Sequence, residues 1–171
     1  TNNMLLIASI AWNVKFVTAK VDQDGGQYYD YDPYEAIIYV AELGADVITN
    51  SWAGSLYSEA NRESIEYAQS LGSLVVAAAA NENDEVLLYP ASYPGAVSVA
   101  ATSHLDLKAS FSSYGIGVDI CAPGVNILSL KPDNSTQYMS GTSMATPLAA
   151  GLFALAKSYY TGWTNESIIE Q

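Results

Sequence analysis

The chain has 171 residues, enough for one domain with a sizeable core. Half of them are hydrophobic and 14% are charged, which excludes a disordered chain. The net charge of −12 excludes nucleic acid and anionic membrane surfaces as partners, because both need positive charge. A single cysteine, Cys121, excludes an internal disulfide. Set between Ile120 and Ala122, it reads as a buried structural thiol. No run is long and apolar enough to span a membrane. Thr1-Asn2-Asn3 has neither Met nor a basic stretch, so no signal peptide is read there and the start reads as the interior of a longer chain.

In chain order, strand and helix signals alternate. Residues 14–21 are β-branched and partly alternating, which predicts a strand. Residues 22–32 form a polar loop with Gly25, Gly26 and the tyrosines 28, 29 and 31. With Tyr34 these tyrosines suit either a solvent-facing loop or the rim of a peptide groove. Asp32-Pro33 reads as the cap and first residue of a helix, with Glu35 in its first turn and Gly44 as its stop. Residues 46–51 are the next strand. A second helix covers 59–71 and stops at Gly72. Residues 73–79 are apolar after Ser73, as in a buried parallel sheet. This βαβαβ order predicts an α/β fold: a doubly wound, three-layer parallel sheet. Further strands are read at 97–101, 118–121 and 126–130, with Ala122-Pro123-Gly124 as a turn. A long helix runs from Ser143 to about residue 160, and Thr164 caps a last helix at 165–171.

Ser140-Gly141-Thr142-Ser143-Met144-Ala145-Thr146-Pro147 joins a tight turn to the long apolar helix. With Thr142 or Ser143 as cap, Pro147 falls at the end of the first turn, where its missing amide costs no intrahelical bond. Ser143 then stands at the positive end of the helix, where a developing anion is stabilised. A hydroxyl on a rigid turn at that point suits a nucleophile. A lone Gly-x-Ser is more simply a helix cap.

The motif is longer than that. Gly141-Thr142-Ser143-Met144-Ala145-Thr146-Pro147 resembles the nucleophile signature of the subtilisin-like serine proteases, the subtilases or peptidase S8 family. The family continues Pro-His-Val-Ala-Gly where this chain has Pro147-Leu148-Ala149-Ala150-Gly151. The resemblance extends from about residue 14 to the end of the chain. Residues 1–171 are thus identified as a single catalytic-domain fragment, truncated at its N-terminus, with Ser143 as nucleophile.

In open α/β sheets ligands bind beyond the C-terminal ends of the strands. Three segments stand there, and each resembles a subtilase segment. The first is Gly25-Gly26-Gln27-Tyr28. The second is Ser51-Trp52-Ala53-Gly54. Both imply backbone edges that hold a peptide by strand addition. The family typically has Ser-Leu-Gly-Gly at the second, so Ala53 narrows the room for a substrate side chain and Trp52 alters the packing. The third is Ala78-Ala79-Ala80-Asn81. It is similar to the family's Ala-Ala-Gly-Asn, which makes Asn81 the oxyanion-hole donor; Ala80 in place of glycine strains that turn. Read alone, Asn81 would be a turn residue tolerating left-handed geometry. Tyr89-Pro90-Ala91-Ser92-Tyr93-Pro94 resembles a segment beside the specificity pocket, with a cis bond at its first proline. Phe111-Ser112-Ser113-Tyr114-Gly115 and Ala122-Pro123-Gly124 fit as well.

A triad needs a base on the serine and a carboxylate on the base. The family's Asp-Thr/Ser-Gly and His-Gly-Thr-His segments do not occur here. The only histidine is His104, in a stretch the family uses as a surface loop. Thr1-Asn2-Asn3 resembles the calcium loop that closely follows the catalytic histidine, so the triad Asp and His are expected upstream. The resemblance implies a secreted or extracytoplasmic endopeptidase, monomeric when complete, with a polypeptide substrate, a propeptide as partner and no required cofactor. Structural calcium in the complete domain is a further implication. Asp22, Asp24, Asp30 and Asp32 lack EF-hand spacing and read as a solvated acidic loop. Asn134-Ser135-Thr136 and Asn165-Glu166-Ser167 match the glycosylation pattern, which chance often produces. Standing alone, the chain is otherwise a non-catalytic peptide-binding or structural module. A nucleotide-binding domain is set aside, since neither Gly-x-Gly-x-x-Gly nor a phosphate-loop lysine is present.

Overall fold

A computed structural model describes residues 7–21 and 32–170. Helix α1 (Pro33–Glu42) starts where the sequence marks it: the Asp32 carboxylate accepts from the Tyr34 amide at 2.9 Å, and proline takes the first position. It ends before Gly44, whose φ of +81° suits a residue without a side chain. Its buried residues Tyr34, Ile37, Val40 and Ala41 share one face. Strand β1 (Val47–Asn50), helix α2 (Glu59–Ser70) and strand β2 (Leu74–Ala78) follow, then β3 (Ala96–Thr102) and β4 (Ile120–Pro123). The four strands form one parallel sheet in the order β1-β2-β3-β4. Strands β5 (Ile127–Leu130) and β6 (Thr136–Met139) make an antiparallel hairpin. Helices α3 (Thr142–Tyr159) and α4 (Asn165–Ile169) close the chain.

The sheet is buried on both faces, which is what a parallel sheet requires. Leu74, Val76, Val97, Val99 and Ala101 pack with Ala145, Ala149 and Phe153 of α3 and Ile168 of α4. On the other face Val75 and Ile48 pack with Ile37 and Val40 of α1 and Ile65 and Ala68 of α2. Val75 and Val76 thus face opposite layers, and both are fully buried. Each contributes about 1.5–3 kcal/mol by leaving water. The expected doubly wound, three-layer α/β architecture is what forms.

Four expectations are corrected. Residues 14–21 form no strand: none of the sheet's strands pairs with them, and Phe16 is 74% exposed. β-branched composition says that a segment fits a pleated surface, not that a partner is present. Cys121 is exposed, not buried. Its neighbours Ile120 and Ala122 pack toward α3, so Cys121 points to the other face, and α1 and α2 do not reach as far as the edge strand β4. Strand β4 begins at Ile120, and Ala122-Pro123 belong to it; Asp119 instead accepts from the Ser98 amide at 2.8 Å. Tyr34 is a core residue with 6% exposure, not part of a loop or rim. Strand β6 is mostly exposed and polar, so it lacks the alternation that would have marked it.

Candidate active site

Strands β1 and β2 are neighbours and run the same way, so Ser51 and Asn81 follow their C-terminal ends at one edge of the sheet. Helix α3 begins against the same edge. Its entry is held by Gly141, whose amide donates to the Gly124 carbonyl at 2.8 Å. That approach requires glycine at 124: a Cβ there would sit 2.6 Å from the Ala101 Cβ and 2.8 Å from the Gly141 carbonyl oxygen.

Gly141, not Thr142 or Ser143, is the cap of α3, with no side-chain bond to the helix. Thr142 is therefore the first helical residue and Ser143 the second, still inside the turn whose amides lack intrahelical acceptors. Pro147 moves with this register. It is the sixth residue and lies inside the helix, not at the end of the first turn. Its missing amide does cost an intrahelical bond, the one to the Ser143 carbonyl.

Ser143 is half-buried. Its hydroxyl donates to the Ser51 carbonyl at 3.3 Å, and the Ser51 hydroxyl donates to the Ser143 carbonyl at 3.1 Å. Asn81 is exposed, and its Oδ1 accepts from both the amide of Thr142 at 2.9 Å and the Thr142 hydroxyl at 3.1 Å. A backbone amide only donates, so it settles which amide atom of Asn81 is the oxygen. Nδ2 has no acceptor among the described residues. The structure thus brings Asn81 to the residue before Ser143.

The alanines before Asn81 lie deeper. Ala78, Ala79 and Ala80 are 2–7% exposed, the Ala79 amide bonds Val99, and the Ala80 carbonyl accepts from Ser113. Ala80 has a φ of +79°, the left-handed region that glycine adopts freely and alanine only at a cost. Beyond Ser51, the Trp52 ring turns inward against Tyr34, edge to face at 5.1 Å. Gly54 and Tyr89 exchange two backbone bonds of 2.8 Å, and the Tyr89–Pro90 bond is cis. Trp52 and Ala53 make no backbone bond among the described residues, and Ala53 is exposed. Burial, then the charge of Tyr93, raises the Tyr34 hydroxyl above the ordinary tyrosine range. Gly25, Gly26 and Tyr28 lie outside the described residues.

His104 is not brought to the serine. It is exposed on the loop after β3, where the Ser103 amide bonds the Leu107 carbonyl at 2.8 Å, and it makes none of the described contacts of Ser143. Among the described residues, no group of three or more His, Cys, Asp or Glu could hold a metal ion. Asp32 is taken up as the α1 cap, and the other three loop aspartates are outside the described residues. Among the described residues, no helix is long and apolar enough to cross a membrane. Two contacts of this edge were not read from the sequence: that of Thr142 with Asn81, and that of the Ser51 hydroxyl with the Ser143 carbonyl. Only proximity reveals either, since 61 and 92 residues separate the pairs.

Fold and site together define an α/β protein with a serine hydroxyl at a helix N-terminus beside a carboxamide. The chain belongs to the subtilase family, whose model matches residues 1–170. It is 42% identical over 158 residues to a thermophilic serine proteinase of Bacillus sp. (strain AK1), covering 92% of this chain and 39% of that one. It is 39% identical to thermitase of Thermoactinomyces vulgaris over 92% of this chain and 57% of that one. Among solved structures it is similar to the prenylagaramide maturation protease PagA, with a TM-score of 0.69 and 32% identity over 74% of this chain and 48% of that one. The chain thus spans 39% and 57% of the length of these two curated relatives.

Proposed function

We propose that this chain is the nucleophile- and substrate-holding part of a subtilisin-like serine endopeptidase. The observation that carries the reading is the Ser143 hydroxyl at the N-terminus of α3, next to a Thr142 that fixes Asn81. Ser143 Oγ attacks the scissile carbonyl carbon and passes its proton to a histidine contributed from outside these 171 residues. The oxyanion is met by Asn81 Nδ2 and by the Ser143 amide, free in the first helical turn. The C–N bond then breaks, the amine leaves with the proton, and water hydrolyses the ester. A polypeptide lies along the open Trp52-Ala53 edge and, on its other side, Gly25-Gly26. Triad Asp and His upstream, a propeptide, a monomeric complete domain and an extracytoplasmic location belong to the same proposal, as does structural calcium there.

A second reading has one observation behind it: the acceptor of the Ser143 hydroxyl is a carbonyl, not a base. On that reading the chain binds peptide without cleaving it. Purified chain, assayed on a broad peptide substrate and with a fluorophosphonate probe, separates the two. The 171-residue chain is expected to be near-silent. With the upstream segment restored, the protein is expected to label at Ser143 and to lose labelling on Ser143→Ala. Restored protein that binds peptide but neither labels nor cleaves would establish the second reading.

A further inference from the structure

Pro147 singles out one carbonyl. In an unbroken α-helix the amide of residue 147 donates to the carbonyl of residue 143. Proline has no amide hydrogen, and its ring crowds the carbonyl four residues earlier. The carbonyl deprived of its helical donor is that of Ser143. A donor from outside the helix reaches it: Ser51 Oγ, at 3.1 Å. Ser51 is well placed to hold it. It directly follows β1, whose last residue, Asn50, is 5% exposed and registered against Ala77 of β2.

We propose that Ser51 is a positioning residue for Ser143: its hydroxyl replaces the helical donor that Pro147 removes, and so sets the direction of the Ser143 hydroxyl. The inference rests on the reading of Ser143 as nucleophile. The physical argument concerns the first turn of α3. The Thr142 and Ser143 amides have no helical acceptor, the Met144 amide reaches only the Gly141 carbonyl of the cap, and the Ser143 carbonyl has lost its donor, so the turn is held weakly by the helix itself. Without Ser51 Oγ the Ser143 carbonyl turns toward water and carries its own Cα with it. A nucleophile displaced by about 1 Å loses up to about a hundredfold in rate. Ser51 also begins the open backbone edge at Trp52-Ala53. Nucleophile and substrate are therefore anchored to one point of the sheet. When Ser143 Oγ gives its proton to a base, its own bond to the Ser51 carbonyl is released. The bond from Ser51 Oγ to the Ser143 carbonyl persists.

A double-mutant cycle tests this, because Pro147→Ala returns an amide to the Ser143 carbonyl. The variants are Ser51→Ala, Ser51→Thr, Pro147→Ala and Ser51→Ala with Pro147→Ala, made in the protein with its upstream segment restored. Ser51→Ala is expected to lower kcat about tenfold with little change in KM. Ser51→Thr is expected to recover most of that loss. In the Pro147→Ala background, Ser51→Ala is expected to cost less than about twofold further. Equal losses in both backgrounds, or a loss that lies in KM, would overturn the inference. Turnover that survives Ser143→Ala would overturn the nucleophile reading instead, whatever Ser51 does. A second readout needs no activity. In the protein with its upstream segment restored, Ser51→Ala should lower the unfolding midpoint by about 2–4 °C with Pro147 present and by less than half of that with Pro147→Ala. Strictly additive shifts would overturn the structural part of the inference.

Discussion

Asn81 and Thr142, 61 residues apart, are joined twice: the same oxygen, Asn81 Oδ1, accepts from the Thr142 amide at 2.9 Å and from its hydroxyl at 3.1 Å. Two donors on one oxygen leave the carboxamide a single orientation. On the proposed function, Nδ2 then needs none of the reorganisation of a freely rotating amide, which is how a preorganised donor stabilises developing charge. Asn81→Ala is expected to lower turnover by about 10²–10³ with little effect on KM, the magnitude known for loss of such a donor in subtilisin, a member of the same family. Thr142→Val keeps the amide donor and removes only the hydroxyl. It is expected to cost less, about five- to tenfold, the worth of one neutral hydrogen bond. Steady-state kinetics of both variants, made in the protein with its upstream segment restored, check this. A larger loss for Thr142→Val than for Asn81→Ala would reverse the two roles.

Ala80 stands immediately before that donor in left-handed backbone, at a φ of +79°. Left-handed geometry costs an L-residue about 1–2 kcal/mol. Glycine removes that strain but gains freedom in the unfolded chain, which offsets about 0.4–1 kcal/mol. Ala80→Gly is therefore expected to stabilise the fold by up to about 1.6 kcal/mol. Ala80→Val, β-branched, is expected to destabilise it. Urea unfolding of the three proteins decides the sign.

Tyr34 supplies a pH dependence. Burial, then Tyr93, raises its hydroxyl above the unfolded value. A group with a raised folded pKa contributes stability that is fully present below its unfolded pKa. That stability is lost as pH rises through the folded one. The unfolded chain releases the proton near pH 10, so stability should fall from about pH 10 upward. Tyr34→Phe has no proton to release and is expected to flatten this decline relative to the parent. Urea midpoints at pH 9 and pH 11 measure it, and parallel declines in the two proteins would exclude Tyr34 as the cause.

Local chemistry was enough to read much of the frame. Asp32-Pro33 starts α1 because a carboxylate and a preset φ act within one turn, and Gly44 and Gly72 end α1 and α2 because left-handed backbone needs no distant partner. The apolar run of β2 marked a strand covered on both faces, and it is buried throughout. The seven-residue motif around Ser143 marked a helix entry that the structure places within one residue of the expected start. Tertiary structure decided what depends on a partner. Residues 14–21 have strand composition and no ladder among the described residues, Cys121 has apolar neighbours and an exposed face, and Tyr34 sits beside a polar loop and is buried. The site divides in the same way. Ser143 and Asn81 stood out through the family resemblance of their segments; read alone they were a helix cap and a turn residue. That Thr142 fixes the oxygen of Asn81, and that Ser51 reaches the carbonyl left by Pro147, follows from two parallel strands ending side by side. Hydrogen bonds between segments 61 and 92 residues apart depend on distances in space, which only the folded sheet sets.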